Sequence, residues 1–202
     1  WAAFVTSGDV TNPLVCTAAA TELTLQGRID KANAGDTITL SSDTEIAATL
    51  QIAKNLTLDL NGCVLRMRGT GSVLEVSDRA TLTIQDSSAA KSGTITGGNA
   101  SDGGGVYIGD NSSEGHLVMT GGTITGCATD HGRGGGVLVY NGSFTMSGTA
   151  KITNCTAVWG GGVVVHTGSS TFTMNGGEIS DCKASYTCLL YTSPSPRDRT
   201  RS

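Results

Sequence analysis

The chain has little charge, few aromatic residues and no long apolar run, and each scarcity excludes a class of protein. Its 202 residues are 15% charged and 4% aromatic, against 29 glycines. This composition is too poor in helix formers for a helical bundle and too apolar for a disordered chain. No segment approaches the roughly 20 apolar residues of a membrane span, so we expect no membrane insertion. The net charge of −4 predicts no nucleic-acid partner, because a basic surface is missing.

What the chain does have is a repeat between Gly103 and Cys182. Three segments align: GGGVYIGDNSSEGHLVMTGGTITGC, GGGVLVYNGSFTMSGTAKITNC and GGGVVVHTGSSTFTMNGGEISDC. Equivalent residues recur at steps of 27 or 28 residues, as in the series Met119, Met146 and Met174. A period of this length predicts a solenoid, in which each unit buries its apolar face by stacking on its neighbours.

Each repeat contains three short apolar segments separated by glycine and polar turns. In the first repeat these segments are Val106–Ile108, Leu117–Met119 and Thr123–Thr125. They alternate with period two and are rich in β-branched residues, which predicts strands. We therefore predict an all-β fold, a right-handed parallel β-helix with three short strands per coil of about 27 residues. The first and third residues of the first two segments should point inward, as should Ile124.

A short amphipathic helix is expected before the first coil, within Thr21–Ala32. Leu25, Ile29 and Ala32 share one face of that helix, and Gly35 follows as a stop signal. Such a helix would cover the open edge of the first coil. We interpret it as an N-terminal cap.

The two ends of the sequence predict a fragment rather than a complete protein. The chain opens on Trp1 without Met or a signal peptide. At the other end, Cys188–Asp198 resembles a translated transposase-end sequencing adapter, with a natural linker rich in Pro, Ser and Arg as the alternative. We therefore divide the chain into an N-terminal segment with capping helix (1–35), a parallel β-helix (36–187) and a non-native tail (188–202).

The lead-in Gly35–Leu40, the segment Asn55–Gly62 and the GGGV coils resemble bacterial secreted and surface proteins with right-handed β-helix repeats. They are also similar to the GGAI/FxxN repeats of polymorphic outer-membrane proteins and other autotransporter passengers. Here GGGV replaces GGAI, and Cys stands where such coils often carry Asn. The resemblance implies a secreted or cell-surface protein with an adhesive or structural role. Its implied partner is a host or environmental glycan or a surface protein.

The repeated cysteines Cys127, Cys155 and Cys182 each follow the inward Ile of their coil by three residues. They predict a ladder with steps of about 5 Å, the spacing of neighbouring strands. A line of parallel thiols does not surround a metal ion, and three cannot all pair as disulfides. We interpret them as small buried side chains, with one disulfide between adjacent coils as the alternative. Cys16 and Cys63 have no evident partner, and no cofactor or metal is expected.

The alternative function is a pectin-type polysaccharide lyase or glycoside hydrolase, because parallel β-helices also carry such enzymes. That chemistry needs paired carboxylates, or an acidic calcium site with a base. The outward strand positions of the three clear coils carry no acids, so no catalytic site is expected in this fragment. The weak candidates are Asp59, Arg66 and Glu75, which are predicted to point outward and could converge. The turn Asp130–Arg133 has a base and acids nearby but is predicted to be a polar loop, and His116 and His166 are predicted to stand alone.

A binding surface is the favoured function. Tyr107, Tyr140 and Trp159 are predicted to lie outward or in turns, where aromatic rings can stack on sugars or insert into protein interfaces. Tyr107, Leu138 and Val164 should form an exposed apolar stripe across three coils. The alternative is that the stripe is simply the second apolar face of a parallel sheet.

Overall fold

The computed structural model describes residues 23–166 and 168–186. They form a parallel β-solenoid of about five turns, with roughly 28 residues per turn and one short helix near the N-terminus. The predicted fold class is therefore confirmed. Residues 1–22, with Cys16, and the adapter-like tail 188–202 lie outside the described residues.

Four parallel sheets run along the solenoid, and we name them sheets A to D. Sheet A contains β1 (Thr37–Thr39), β4 (Leu56–Asp59), β7 (Thr81–Gln85), β11 (Gly115–Met119), β15 (Gly142–Met146) and β19 (Thr171–Met174). Sheet B contains β2 (Thr44–Ile46), β5 (Val64–Met67), β8 (Thr94–Thr96), β12 (Thr123–Thr125), β16 (Lys151–Thr153) and β20 (Glu178–Ser180). Sheet C contains β3 (Leu50–Ile52), β6 (Leu74–Val76), β10 (Val106–Ile108), β14 (Val137–Val139) and β18 (Val163–Val165).

Sheet D is the part of the fold that the sequence pattern did not predict. It contains β9 (Asn99–Ala100), β13 (Ala128–Thr129), β17 (Thr156–Ala157) and β21 (Lys183–Ala184). Each of these strands is two residues long, too short to show an alternation of polar and apolar residues. The three longer strands of each repeat lie where the sequence predicted them.

The core is built from stacked, identical positions. Met119 pairs in register with Met146, which pairs with Met174, and the rings of Phe144 and Phe172 stack at 4.9 Å. Such a side chain contributes about 1.5–3 kcal/mol when it is fully buried. Met146 is completely buried, whereas Met174, in the last described turn, is 39% exposed because no further described turn covers it.

The glycine triplets form the corners that lead into sheet C. The first glycine of each triplet has a φ between 61° and 66°, a conformation that side chains with a Cβ rarely adopt (Gly103, Gly134 and Gly160). The second glycine is needed for close approach between turns. A Cβ on Gly104 would lie 2.5 Å from the carbonyl oxygen of Ala128 and 2.6 Å from that of Gly135. The sequence assignment of these triplets to tight corners is confirmed.

The N-terminal helix, α1 (Leu25–Lys31), begins after Thr24, whose hydroxyl accepts a hydrogen bond from the backbone N–H of Gly27 (3.2 Å). Leu25 and Ile29 are buried against the core, and Ala32 packs partly on it. The predicted amphipathic helix is therefore confirmed. Among the described residues, no helix has the length and apolar character needed to cross a membrane.

The helix caps the edges of two sheets through its side chains. The carboxamide of Gln26 pairs with the backbone of Gln51 in edge strand β3, accepting from its N–H (2.9 Å) and donating to its carbonyl oxygen (3.2 Å). Arg28 donates to the carbonyl oxygen of Thr39 in β1 (2.9 Å). Gln26 thus occupies backbone groups that would otherwise be free to pair with another chain.

Candidate functional site

The three weak catalytic candidates lie on three different sheets. Asp59 ends β4 in sheet A, Arg66 lies in β5 of sheet B, and Glu75 lies in β6 of sheet C. Because these sheets form different sides of the solenoid, the structure does not bring the three side chains together.

Asp59 lies in the outward row of β4, as predicted, but it is buried there instead of exposed. It is 5% exposed, and its carboxylate accepts hydrogen bonds from the backbone N–H groups of Asn61 (3.0 Å) and Ser87 (2.9 Å) and from the side chain of Gln85 (3.2 Å). Burial opposes ionisation, but these hydrogen bonds outweigh it and lower the pKa of Asp59. A turn follows β4 directly, and the carboxylate accepts a hydrogen bond from the backbone of that turn. Asp59 is therefore a structural residue.

Arg66 faces a shallow depression of about 270 Å³ on sheet B, beside Asp43, Glu45 and Arg68. Arg68 and Glu45 form an ion pair there, with both side chains more than half exposed. Exposed ion pairs of this kind contribute little to stability. This depression is shallow, solvated and mixed in charge.

Glu75, by contrast, lies in a groove of about 560 Å³ along sheet C. The floor of the groove follows the register of the sheet, where Glu75 pairs with Tyr107. Asp110, which follows β10, and Asp102, which precedes the first glycine triplet, line its sides. We call this cavity the sheet C groove. Besides Glu75, Tyr107, Asp102 and Asp110, it is lined by hydroxyl-bearing residues, namely Thr49, Thr70, Ser72 and Ser101. It joins a predicted binding residue, Tyr107, to a predicted catalytic candidate.

An aromatic stack continues from the groove across three turns. The rings of Tyr107 and Tyr140 lie 5.9 Å apart and nearly parallel, and Tyr140 lies 4.8 Å from the ring of His166. The prediction that His166 stands alone is wrong. Tyr140 follows β14 and His166 follows β18 one turn later, so the two rings lie side by side. Trp159 is 43% exposed and contacts Tyr186 (6.4 Å) instead of this stack.

Arg133 ties the loops of successive turns together. Its backbone N–H and Nε donate to Oδ1 of Asp102 (2.8 and 3.2 Å), and its Nη2 donates to Oδ2 (2.8 Å). Its guanidinium also lies 5.9 Å from the ring centre of Tyr140 and donates to Nδ1 of His166 (2.6 Å). Within the polar turn Asp130–Arg133, Arg133 thus reaches across to the neighbouring turns.

Leu138 is covered on the outer face of sheet C. It lies between Tyr107 and Val164 in the outward row of sheet C, and it was predicted to be exposed. It is fully buried, although it does not belong to the central core cluster. Side chains on the outer face of sheet C therefore form a second layer over Leu138, and the predicted apolar stripe is not an open surface.

The groove contains polar atoms without a partner in the described part of the protein. Glu75 accepts from Gln51 through Oε2 (2.9 Å), which leaves Oε1 free. Asp110 accepts from the backbone of Ser112 (2.6 Å) and Ser113 (2.7 Å) through Oδ1, which leaves Oδ2 free. No described residue forms a hydrogen bond with the hydroxyl of Tyr107.

The environment keeps the Tyr107 hydroxyl protonated. Burial, together with the nearby Tyr140, Asp102 and Glu75, raises the pKa of Tyr107 to about 12. At Asp102, burial opposes ionisation, but the hydrogen bonds from Arg133 outweigh it and lower the pKa of the carboxyl group. The groove therefore offers a phenolic donor near the ionised carboxylate of Asp102 at neutral pH.

The cysteine ladder lies inside the solenoid. Cys127 and Cys155 are buried, Cys182 is partly buried in the last described turn, and all three are free thiols, as is Cys63. The thiol of Cys155 contacts the carbonyl oxygen of Thr153 at 3.3 Å. Across the described ranges, no three His, Cys, Asp or Glu side chains are grouped so that they could hold a metal ion.

Sequence reasoning missed Asp102 as a site residue and the link between Arg133 and His166. A signal for the first was present. Asp102, Arg133 and Trp159 each stand directly before a glycine triplet, at equivalent positions of the repeat. A further pair, His116 and Ser143, lies on the face of sheet A with Nδ1 and Oγ 2.8 Å apart, so His116 is not isolated either.

The fold defines this chain as a parallel β-solenoid with a capped N-terminal end. No protein-family model, curated protein or solved structure matches it.

Proposed function

We propose that this chain is a glycan-binding part of a secreted or cell-surface bacterial protein with an adhesive or structural role. The sheet C groove is the sugar site. The observation that carries the proposal is the half-buried ring of Tyr107, which lines a groove of about 560 Å³ between the carboxylates of Glu75, Asp102 and Asp110. The resemblance of the glycine-rich coils to bacterial surface repeats supports a secreted or cell-surface location. The sheet C groove supports a glycan as the ligand.

The groove presents the two kinds of surface that a sugar ring requires. A sugar has an apolar face of C–H groups, which packs on an aromatic ring, and a rim of hydroxyl donors. Ionised carboxylates only accept hydrogen bonds, so they match those donors. Hydroxyl groups that can donate or accept complete the lining, from Thr49, Thr70, Ser72 and Ser101.

The groove is also held rigid before any ligand binds. Its floor consists of paired strands, and the bidentate contact between Arg133 and Asp102 fixes the loop beside it. A site with little freedom to lose on binding keeps more of its interaction energy as affinity. An extended polymer lying along the solenoid axis would cross successive turns.

An enzyme is the second candidate, because three carboxylates line one groove. Hydrolysis of a glycosidic bond needs a protonated carboxyl group to act as the general acid. Asp102 does not suit that role, since the hydrogen bonds from Arg133 lower its pKa. The same contact occupies the guanidinium of Arg133, the basic group nearest the groove.

A glycan screen with the full chain, followed by titration calorimetry, tests the proposal. We expect Tyr107→Ala to weaken binding about tenfold or more, the effect of removing a central aromatic contact. Tyr186→Ala is the matched control, because Tyr186 is 69% exposed and lies outside the groove. Equal losses in both variants would contradict the site. Cleavage of pectic polymers, with no glycan bound in the screen, would replace the proposal with the enzyme.

A further inference from the structure

The charge of the groove identifies the class of sugar, an inference that rests on the proposed function. We propose that the recognised unit is a cationic amino sugar, so that the groove holds a polymer of unacetylated hexosamine and rejects polymers of uronic acid.

The lining of the groove carries more negative charge than neighbouring cations neutralise. It contains Glu75, Asp102 and Asp110, and no Lys, Arg or His lines it. The nearest cation, Arg133, is already paired with Asp102. The partners of Glu75 and Asp110 are a neutral side-chain amide and neutral backbone N–H groups. Two negative charges therefore remain for a ligand.

The free atoms belong to two residues close to Tyr107 in the fold, one on the neighbouring strand and one in the loop after β10. Glu75, with Oε1 unoccupied, is the register partner of Tyr107 on the neighbouring strand. Asp110, with Oδ2 unoccupied, lies three residues after Tyr107. An ammonium group has three donors and no acceptor, which complements free carboxylate oxygens. It is also attracted to the face of an aromatic ring.

A uronic acid would meet the same atoms as a like charge. Its carboxylate can only accept hydrogen bonds, and Glu75 and Asp110 have none to donate. At separations of several ångströms in a solvated groove, each such pair changes affinity about threefold. Pectic polymers are polyuronates, so this groove is a poor match for them.

Calorimetry with three oligosaccharides of equal length tests the inference on the full chain at pH 5.5 and low salt. The ligands are a glucosamine oligomer, its fully acetylated counterpart and a galacturonic acid oligomer. We expect the glucosamine oligomer to bind about tenfold tighter than the acetylated one, and the galacturonic acid oligomer to bind weakest. Added salt should reduce the preference, because the charges are exposed to solvent.

Charge-removing variants locate the effect. Glu75→Gln and Asp110→Asn should each reduce the preference for the amine about threefold. Glu114→Gln is the matched control, since it removes the same charge from an exposed residue that does not line the groove. Circular dichroism confirms that each variant is folded. The ligand series on the unmodified chain decides the question even if a variant fails to fold.

The outcomes separate the two proposals. Equal affinity for the amino and acetylated oligomers, or tightest binding of the galacturonic acid oligomer, would overturn the charge inference and leave the glycan site standing. A preference for the amine that persists unchanged in both groove variants would also overturn it. Absence of binding to every oligosaccharide, in this series and in the screen, would overturn the proposed function and the inference with it.

Discussion

The contact between Asp102 and Arg133 gives the sharpest stability prediction. Replacing Asp102 with Asn keeps the size of the side chain but removes its charge. Oδ1 can still accept from the backbone N–H and Nε of Arg133. The second position, which accepts from Nη2 at 2.8 Å, would carry an amide NH₂ facing another donor. The variant therefore loses one charge-assisted bond and weakens two others.

The size of the expected stability loss depends on how far the pair of Asp102 and Arg133 is buried. A hydrogen bond to a charged group is worth about 1.5–3 kcal/mol, and exposed ion pairs are worth much less. The side chains of Arg133 and Asp102 are 27% and 25% exposed, between these two cases. We expect Asp102→Asn to lower the free energy of unfolding by about 1–2 kcal/mol at pH 7.

The pH dependence has a definite sign. The folded protein holds the pKa of Asp102 below its usual value, so the carboxylate stabilises the fold above the unfolded pKa of about 3.9. This contribution is lost as the pH falls through the lowered, folded-state pKa. The difference between the unmodified chain and Asp102→Asn should therefore be constant from pH 7 to about pH 5. In stronger acid it should shrink and then vanish.

Urea unfolding followed by circular dichroism, at several pH values, measures this difference. Glu178→Gln is the control, because it breaks a comparable ion pair with Lys151 (3.3 Å) whose side chains are more than half exposed. We expect no measurable loss for that variant. Two results would refute the stabilising role of the contact between Asp102 and Arg133. One is a loss of unfolding free energy in Asp102→Asn no larger than in the control, and the other is a loss that persists undiminished in strong acid.

Two further predictions concern the solenoid itself. Gly104→Ala should lower the free energy of unfolding by about 1–3 kcal/mol, because its Cβ would meet two carbonyl oxygens. Gly168→Ala, with nothing within 4 Å of the added Cβ, should have little effect, and similar urea midpoints for the two would contradict the close packing. The hydrogen bond to Cys127 and burial raise the pKa of Cys155 to about 12, so iodoacetamide at pH 8 should label Cys155 only after unfolding, as mass spectrometry can show.

The groove arises from positions that the repeat leaves variable. The residue before each glycine triplet is Asp, Arg or Trp in successive turns, and the outward residue of each sheet C strand is Tyr, Leu or Val in the same turns. The residues that are the same in every repeat form the corners and the core. The residues that differ contact one another across turns, as Asp102 does with Arg133 one turn later.

The candidate site was predictable only in part. Tyr107 and Tyr140 could be identified as outward aromatic residues from their place in the repeat. Glu75 was recognised as an outward acid, but its neighbours were not, since register between turns decides them. The burial of Asp59 was missed because alternation along a strand says nothing of the turn that follows directly and covers the carboxylate.

The sequence by itself determined the parallel solenoid, its core positions and its capping helix. Period-two alternation and a fixed repeat length are local properties, and stacking identical units in register follows from them. Only the tertiary structure decided that Leu138 is covered, that Arg133 bridges two turns and that Glu75 lies beside Tyr107 in one groove. Those contacts join residues about one turn apart in the chain, so they depend on the rotamers and loops of two turns together.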